Sequence, residues 1–165
     1  MSQPVSAQFL FDFGSPNAYL AHKVIPGIEA RTGARFEYVP VLLGGLFKLA
    51  NNRSPMEANA DIPLKRAYDM LEMKRYIQRH GLSQFKMNPH FPVNTLGIMR
   101  GAVAAEQMGV LAPYVDAVYA SMWERGANMA DPAVIASELT TAGLDAGALM
   151  AATQDAAVKD RLMAD

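Results

Sequence analysis

At 165 residues, with 51% hydrophobic and 19% charged side chains, the chain can bury one sizeable core, as a single domain or as a core carrying one large insertion. Its 15 basic and 16 acidic residues are interspersed and leave a net charge of −1, which argues against an electrostatic nucleic-acid binder or membrane-surface binder. There is no cysteine, which excludes disulfides, thiolate metal sites and dithiol chemistry by the chain's own atoms, and no apolar run approaches the roughly 20 residues of a bilayer span.

Residues 7–13 form a nearly continuous apolar run, which predicts a short strand covered on both faces. Ser15 then offers an N-cap oxygen, and Pro16 takes the first helical position, where its missing N–H costs nothing. The helix they open is predicted over 16–32. Tyr19, Leu20, Val24, Ile25 and Ile28 recur at helical spacing, Pro26 implies a kink, and Gly33 ends the helix. Residues 36–43 return as a second strand, so the first 43 residues read as a β-α-β unit.

Beyond it the chain reads as almost wholly helical. Gly44-Gly45 predicts a turn, 46–49 a single helical turn, and Asn51-Asn52-Arg53-Ser54-Pro55 a polar loop. A long helix over 63–80 closes at Gly81 and carries Lys65, Arg66, Lys74, Arg75 and Arg79 on its polar surface. Residues 86–94 form a Pro-rich loop, Asn94 or Thr95 caps a helix over 96–109, and further helices are expected over 112–125, 131–142, 145–152 and 154–163. The organisation that follows is a β-α-β part over 1–43, a helical insertion over 44–153 and the start of a returning helix over 154–165. Two strands alone make no stable sheet, so the remaining strands are expected outside this sequence or from another chain. The residues Met1-Ser2-Gln3-Pro4 lack the basic and apolar regions of a secretory signal, and together with the missing cysteines they point to a cytoplasmic protein.

Ser15 is the first candidate for chemistry. As structure, serine before proline is an ordinary helix start; as function, a hydroxyl at the positive end of a helix suits an anion or a thiolate and lowers the pKa of a thiol placed there. No Ser-His-Asp set accompanies it, so it does not read as an acyl nucleophile. His22, His80 and His90 match no metal spacing and read as structural or surface residues. The loop holding Asn51 and Asn52 is able to clamp peptide-like groups, although asparagine is also a common turn former. Lys65 suits a ligand carboxylate as well as a solvated helix face, and Trp123 and the methionines read as core.

Several segments together resemble one family. They are Phe11-Asp12-Phe13-Gly14-Ser15-Pro16-Asn17-Ala18-Tyr19-Leu20-Ala21, Pro40-Val41-Leu42-Leu43-Gly44-Gly45-Leu46-Phe47-Lys48 with Asn52 and Pro55, Lys65-Arg66-Ala67-Tyr68, and Phe91-Pro92-Val93-Asn94-Thr95. Over residues 7–162 the chain resembles the 2-hydroxychromene-2-carboxylate isomerases and the related kappa-class glutathione transferases, which share a DsbA-like thioredoxin fold with a helical insertion. The resemblance implies an α/β, thioredoxin-like β-α-β with a large all-helical insertion, lacking the final strands and, with them, a cis-proline loop and a Gly-x-Asp-Arg-like segment. It puts Ser15 where a thioredoxin-type redox pair has its first cysteine, as the serine that contacts the sulfur of glutathione. Asn17 matches the position whose backbone flanks that contact, Asn52 an asparagine that binds the tripeptide, and Lys65 a basic residue near the same site.

The expected function is therefore glutathione-dependent isomerisation of a 2-hydroxychromene-2-carboxylate-like aromatic catabolite, in a homodimer that contacts neither nucleic acid nor membrane. A kappa-like glutathione transferase or peroxidase is the nearest alternative. A non-catalytic thioredoxin-like binding module is the alternative from another class.

Overall fold

The computed structural model describes residues 5–164. Strand β1 (Ser6–Phe11) leads into helix α1 (Pro16–Thr32) and returns as strand β2 (Arg35–Pro40). The two strands pair in parallel, with Ser6 opposite Arg35 and Phe11 opposite Pro40. The helices that follow are α2 (Leu43–Leu49), α3 (Pro55–Ala58), α4 (Pro63–His80), α5 (Leu96–Gln107), α6 (Leu111–Ala120), α7 (Pro132–Thr141), α8 (Ala146–Ala152) and α9 (Ala156–Ala164), with a π-helical turn (Ser121–Arg125) directly after α6. The fold is the expected one: a thioredoxin-like β-α-β joined to a large helical portion. No helix among the described residues is long and apolar enough to cross a membrane.

The sheet departs from the sequence reading in one respect. Phe9 and Phe11 turn inward with their register partners Tyr38 and Pro40, whereas Leu10 on the opposite face is 56% exposed. One face is packed and the other is open among the described residues, and β1 stops at Phe11 instead of running through Phe13. On the packed face, Phe11 meets the rings of Phe13, Tyr38 and Tyr119, and His22 of α1 stacks on Tyr119 at 5.0 Å. The same buried cluster runs on without a break through Ile98, Met99, Ala102 and Val103 of α5 to Leu149, Val158 and Leu162.

Local chemistry accounts for the helix ends that the sequence foretells. The Ser15 Oγ accepts from the Ala18 N–H at 3.2 Å, and Gly33 and Gly81 close α1 and α4 at φ 72° and 64°, a left-handed geometry that costs glycine little. Two local expectations change, and one open choice is decided. Gly44 and Gly45 lie inside α2 rather than in a turn. Pro55, expected within the polar loop, opens the short helix α3, because Ser54 and Glu57 make a reciprocal capping box. At the start of α5 it is Asn94 whose side chain caps, accepting from the Leu96 N–H at 3.1 Å, since the Thr95 hydroxyl is turned to another partner.

The single helix expected over 112–125 is α6 followed by the π-helical turn. Tertiary bonds hold that turn in shape. Lys86 N donates to the Trp123 carbonyl at 2.6 Å, and the Asn88 side-chain amide donates to the carbonyls of Met122 and Ala127, both at 2.9 Å. These contacts fasten the 86–94 loop, which includes a cis Phe91–Pro92 peptide, to the turn.

Candidate functional site

The strand-to-helix junction at residues 12–15 is clamped from several directions. The turn closes on itself through Ser15 N to the Asp12 carbonyl at 3.0 Å. The Asp12 carboxylate accepts from Gly14 N at 2.8 Å on one oxygen, and from Leu43 N at 2.9 Å and the Thr95 hydroxyl at 3.2 Å on the other. One buried side chain thus joins the end of β1, the first N–H of α2 and the start of α5. Burial pushes the Asp12 carboxyl above its ordinary range, against the lowering effect of the three bonds it accepts.

Phe13 is fixed on both sides. The indole N–H of Trp123 donates to its carbonyl at 2.9 Å, and its own N–H points to the Met99 sulfur at 3.5 Å. Trp123, presented by the π-helical turn, is fully buried beneath the junction and stacks on Phe85. A Cβ on Gly14 would sit 3.1 Å from the Thr95 methyl, so the junction also lies close against α5. On the neighbouring turn of α1, Glu124 of the π-helical turn accepts from the Tyr19 hydroxyl at 2.9 Å and from Lys23 at 3.1 Å.

This scaffold presents Ser15. Its Oγ is used as an acceptor by the helix, which leaves the hydroxyl proton free to be donated outward. Pro16 has no N–H, and the Asn17 N–H is one of the first-turn donors that a helix leaves unpaired. The unit offered to a ligand is therefore one hydroxyl and at least one backbone N–H at the positive end of a 17-residue helix.

The other expected site residues are placed differently. The exposed Asn52 turns its side-chain carbonyl to its neighbour's Arg53 N–H at 2.8 Å, and its own N–H closes α2 on the Phe47 carbonyl at 2.7 Å. Lys65 is exposed in the first turn of α4, and Asn17 is exposed on α1. No hydrogen bond or ion pair among the described residues joins Ser15, Asn17, Asn52 and Lys65. His22, read as structural, is so engaged: Nδ1 meets the Tyr38 hydroxyl and Nε2 the Asp116 carboxylate, each at 2.9 Å. Sequence reasoning gave no role to Asp12, read Thr95 only as a candidate helix cap, and gave Met99 and Trp123 only a place in the core. The one visible signal was a lone carboxylate ending the run Phe9-Leu10-Phe11-Asp12.

A thioredoxin-type junction with serine at its first position is thus held by contacts from three helical segments, α2, α5 and the π-helical turn. A family model for DSBA-like thioredoxin domains matches residues 7–165. The chain belongs to the DSBA-like thioredoxin domain family. Two solved structures share its fold. One is a 2-hydroxychromene-2-carboxylate isomerase, 23% identical, with a TM-score of 0.75 over 97% of this chain and 76% of that one. The other is a candidate protein disulfide isomerase from Nitrosomonas europaea, 16% identical, with a TM-score of 0.63 over 98% of this chain and 76% of that one. At such identities the likeness is one of fold. No curated protein matches the chain. Within a family named for disulfide chemistry, a DSBA-like domain without cysteine performs none through its own thiols.

Proposed function

We propose that this DSBA-like domain binds glutathione with its sulfur at the N-terminus of α1 and acts as a glutathione-dependent isomerase on a small aromatic substrate of the 2-hydroxychromene-2-carboxylate type. The observation that carries the reading is Ser15 itself: an N-cap whose oxygen is occupied by Ala18, whose proton is free, and which stands in a cysteine-free chain at a junction suited to negative charge. The fold shared with a 2-hydroxychromene-2-carboxylate isomerase supports the choice of reaction.

The chemistry glutathione supplies when bound is a thiol that adds reversibly to a conjugated carbon, so that a double bond becomes free to rotate. Ser15 contributes the donor that favours the ionised thiol over the neutral one, and the α1 dipole acts in the same direction. The Asp12 bonds, Trp123 and Met99 keep the hydroxyl in place, so that the donor is aligned before the ligand arrives. Asn52 and Lys65 are the residues we assign to the peptide portion and its carboxylates.

Ser15→Ala is the direct test. Losing an N-cap costs about 1 kcal/mol of stability, whereas losing a charge-assisted donor to a thiolate is expected to weaken glutathione binding about tenfold or more. Calorimetric titration with glutathione, paired with thermal melts, reads both quantities. Spectrophotometric turnover of 2-hydroxychromene-2-carboxylate, with and without glutathione, reads the reaction. Unchanged affinity in Ser15→Ala sinks the thiolate site, and turnover that ignores glutathione sinks the cofactor.

A further inference from the structure

We propose that the helical portion carries a second ligand site, a cavity that takes a small, planar, uncharged aromatic molecule and is separate from the N-terminus of α1. The cavity has a volume of about 240 Å³ and lies where α5, α6, α7 and α8 meet. Tyr114, Ile135, Leu139 and Leu149 wall it, Gly97 and Gly101 contribute the α5 side, and none of its lining side chains is charged. It is an open cleft with Gly97, Pro132 and Gln154 exposed at its edge, and its volume exceeds the roughly 150 Å³ that holds benzene in an enclosed apolar cavity.

The walls are fixed, and on the α5 side Gly101 lies against the Tyr114 hydroxyl while Gly97 is bare. The Tyr114 hydroxyl donates to the Ile98 carbonyl at 2.9 Å, which locks the ring, and Leu139 and Leu149 are buried. A Cβ on Gly97 would meet nothing within 4 Å, so no packing contact requires glycine there, and a side chain at that position would project into open space. At the rim, the Gln154 amide N–H₂ donates to the Thr153 hydroxyl, which itself donates to the Met150 carbonyl. That leaves the Gln154 carbonyl as an acceptor for a ring hydroxyl.

This site is not an extension of the junction. Thr95 and Met99 are the α5 residues that touch Asp12 and Phe13. At about 100° per residue, Gly97 and Gly101 fall on the opposite side of the helix. The two sites therefore sit back to back across α5, and one ligand does not span them.

The probe is 1-naphthol, a neutral two-ring alcohol, titrated by calorimetry and by amide chemical-shift mapping of the ¹⁵N-labelled chain. Saturable submillimolar binding is expected, with the largest shifts at Gly97, Gly101 and Leu149 rather than at Ser15 and Asn17. Gly97→Leu places a bulky side chain at the exposed edge of the cleft and is expected to weaken binding about tenfold or more. Its melting temperature should not fall, because leucine is the better helix former. Saturating glutathione should leave the affinity for 1-naphthol unchanged. The site is overturned by absence of saturable binding, by full affinity in Gly97→Leu, by shifts confined to the junction, or by competition from glutathione. The first two outcomes leave the reading of Ser15 untouched.

Discussion

Replacing Asp12 with alanine is expected to lower the free energy of unfolding by about 3–5 kcal/mol, measured by urea denaturation. This one change leaves the partly buried Gly14 and Leu43 N–H groups and the buried Thr95 hydroxyl without their acceptor, where a fully buried orphan costs about 1–3 kcal/mol and a partly buried one less. Asp12→Asn is expected to fall between wild type and Asp12→Ala. Its carbonyl can take the place of the oxygen that serves Leu43 and Thr95, while its N–H₂ then faces the Gly14 N–H, another donor. An Asp12→Ala chain as stable as wild type would show that the three bonds do not hold the junction together.

The same residue predicts a pH dependence with an unusual sign. Burial raises the Asp12 carboxyl above 3.8, so the folded chain keeps this proton at pH values where the unfolded chain has lost it. The contribution of Asp12 to stability therefore decreases as pH rises from about 3.8 through its folded pKa, and above that the buried charge is carried at a cost. Asp116 runs the other way. The hydrogen bond from His22 is the main reason its carboxyl is held down, so its contribution is present above 3.8 and is lost as pH falls through the lower folded value. Subtracting the stability–pH curve of Asp12→Asn from that of wild type isolates the Asp12 term, which should slope downward with rising pH. A difference curve that slopes upward contradicts the burial argument.

What the sequence made legible is what neighbouring residues decide. Ser15 with Pro16 opens α1 and Gly33 closes it, whereas the equally local pairing of Ser54 with Glu57, which starts α3, went unread. The other misread elements are fixed from a distance. Gly44 and Gly45 look like a turn, but the N–H that starts their helix bonds to Asp12, 31 residues earlier in the chain. The π-helical turn depends on Lys86 and Asn88 from another loop, so nothing in 121–125 announces it. The strand was read as covered on both faces because Leu10 is apolar, yet in a two-stranded sheet it faces outward. The site divides along the same line. Ser15 is visible from its helix position, whereas Asp12, Thr95 and Trp123 matter only because the fold brings them beneath it.

Gly101→Ala is the second large effect, and it inverts a usual rule. In an ordinary helix interior this change gains about 1 kcal/mol. Here the new Cβ would overlap the Tyr114 hydroxyl and lie 2.8 Å from its ring carbon Cζ. Tyr114 is buried, packs edge-on against Phe13 at 6.0 Å, and is tied to the Ile98 carbonyl. It can yield only by breaking that bond, which leaves the buried Tyr114 hydroxyl unpaired, since the Ile98 carbonyl still accepts within α5, or by pushing α5 and α6 apart. Either response costs more than the helix gains, so a net loss of about 2–4 kcal/mol is expected. Tyr114→Phe alone should cost about 1 kcal/mol through the lost hydrogen bond. Placed on Gly101→Ala it should be less harmful than on wild type, because it removes the atom that overlaps most, and a double-mutant cycle should show a coupling of at least about 0.5 kcal/mol. A Gly101→Ala chain more stable than wild type would mean that α5 and α6 approach less closely than the Tyr114–Ile98 bond requires. The consequence reaches the junction as well: Thr95 and Met99 ride on α5, so a helix displaced at Gly101 no longer delivers them squarely to Asp12 and Phe13. On the proposed function, glutathione affinity in Gly101→Ala should therefore fall along with stability, although the substitution lies on the far side of α5 from Ser15.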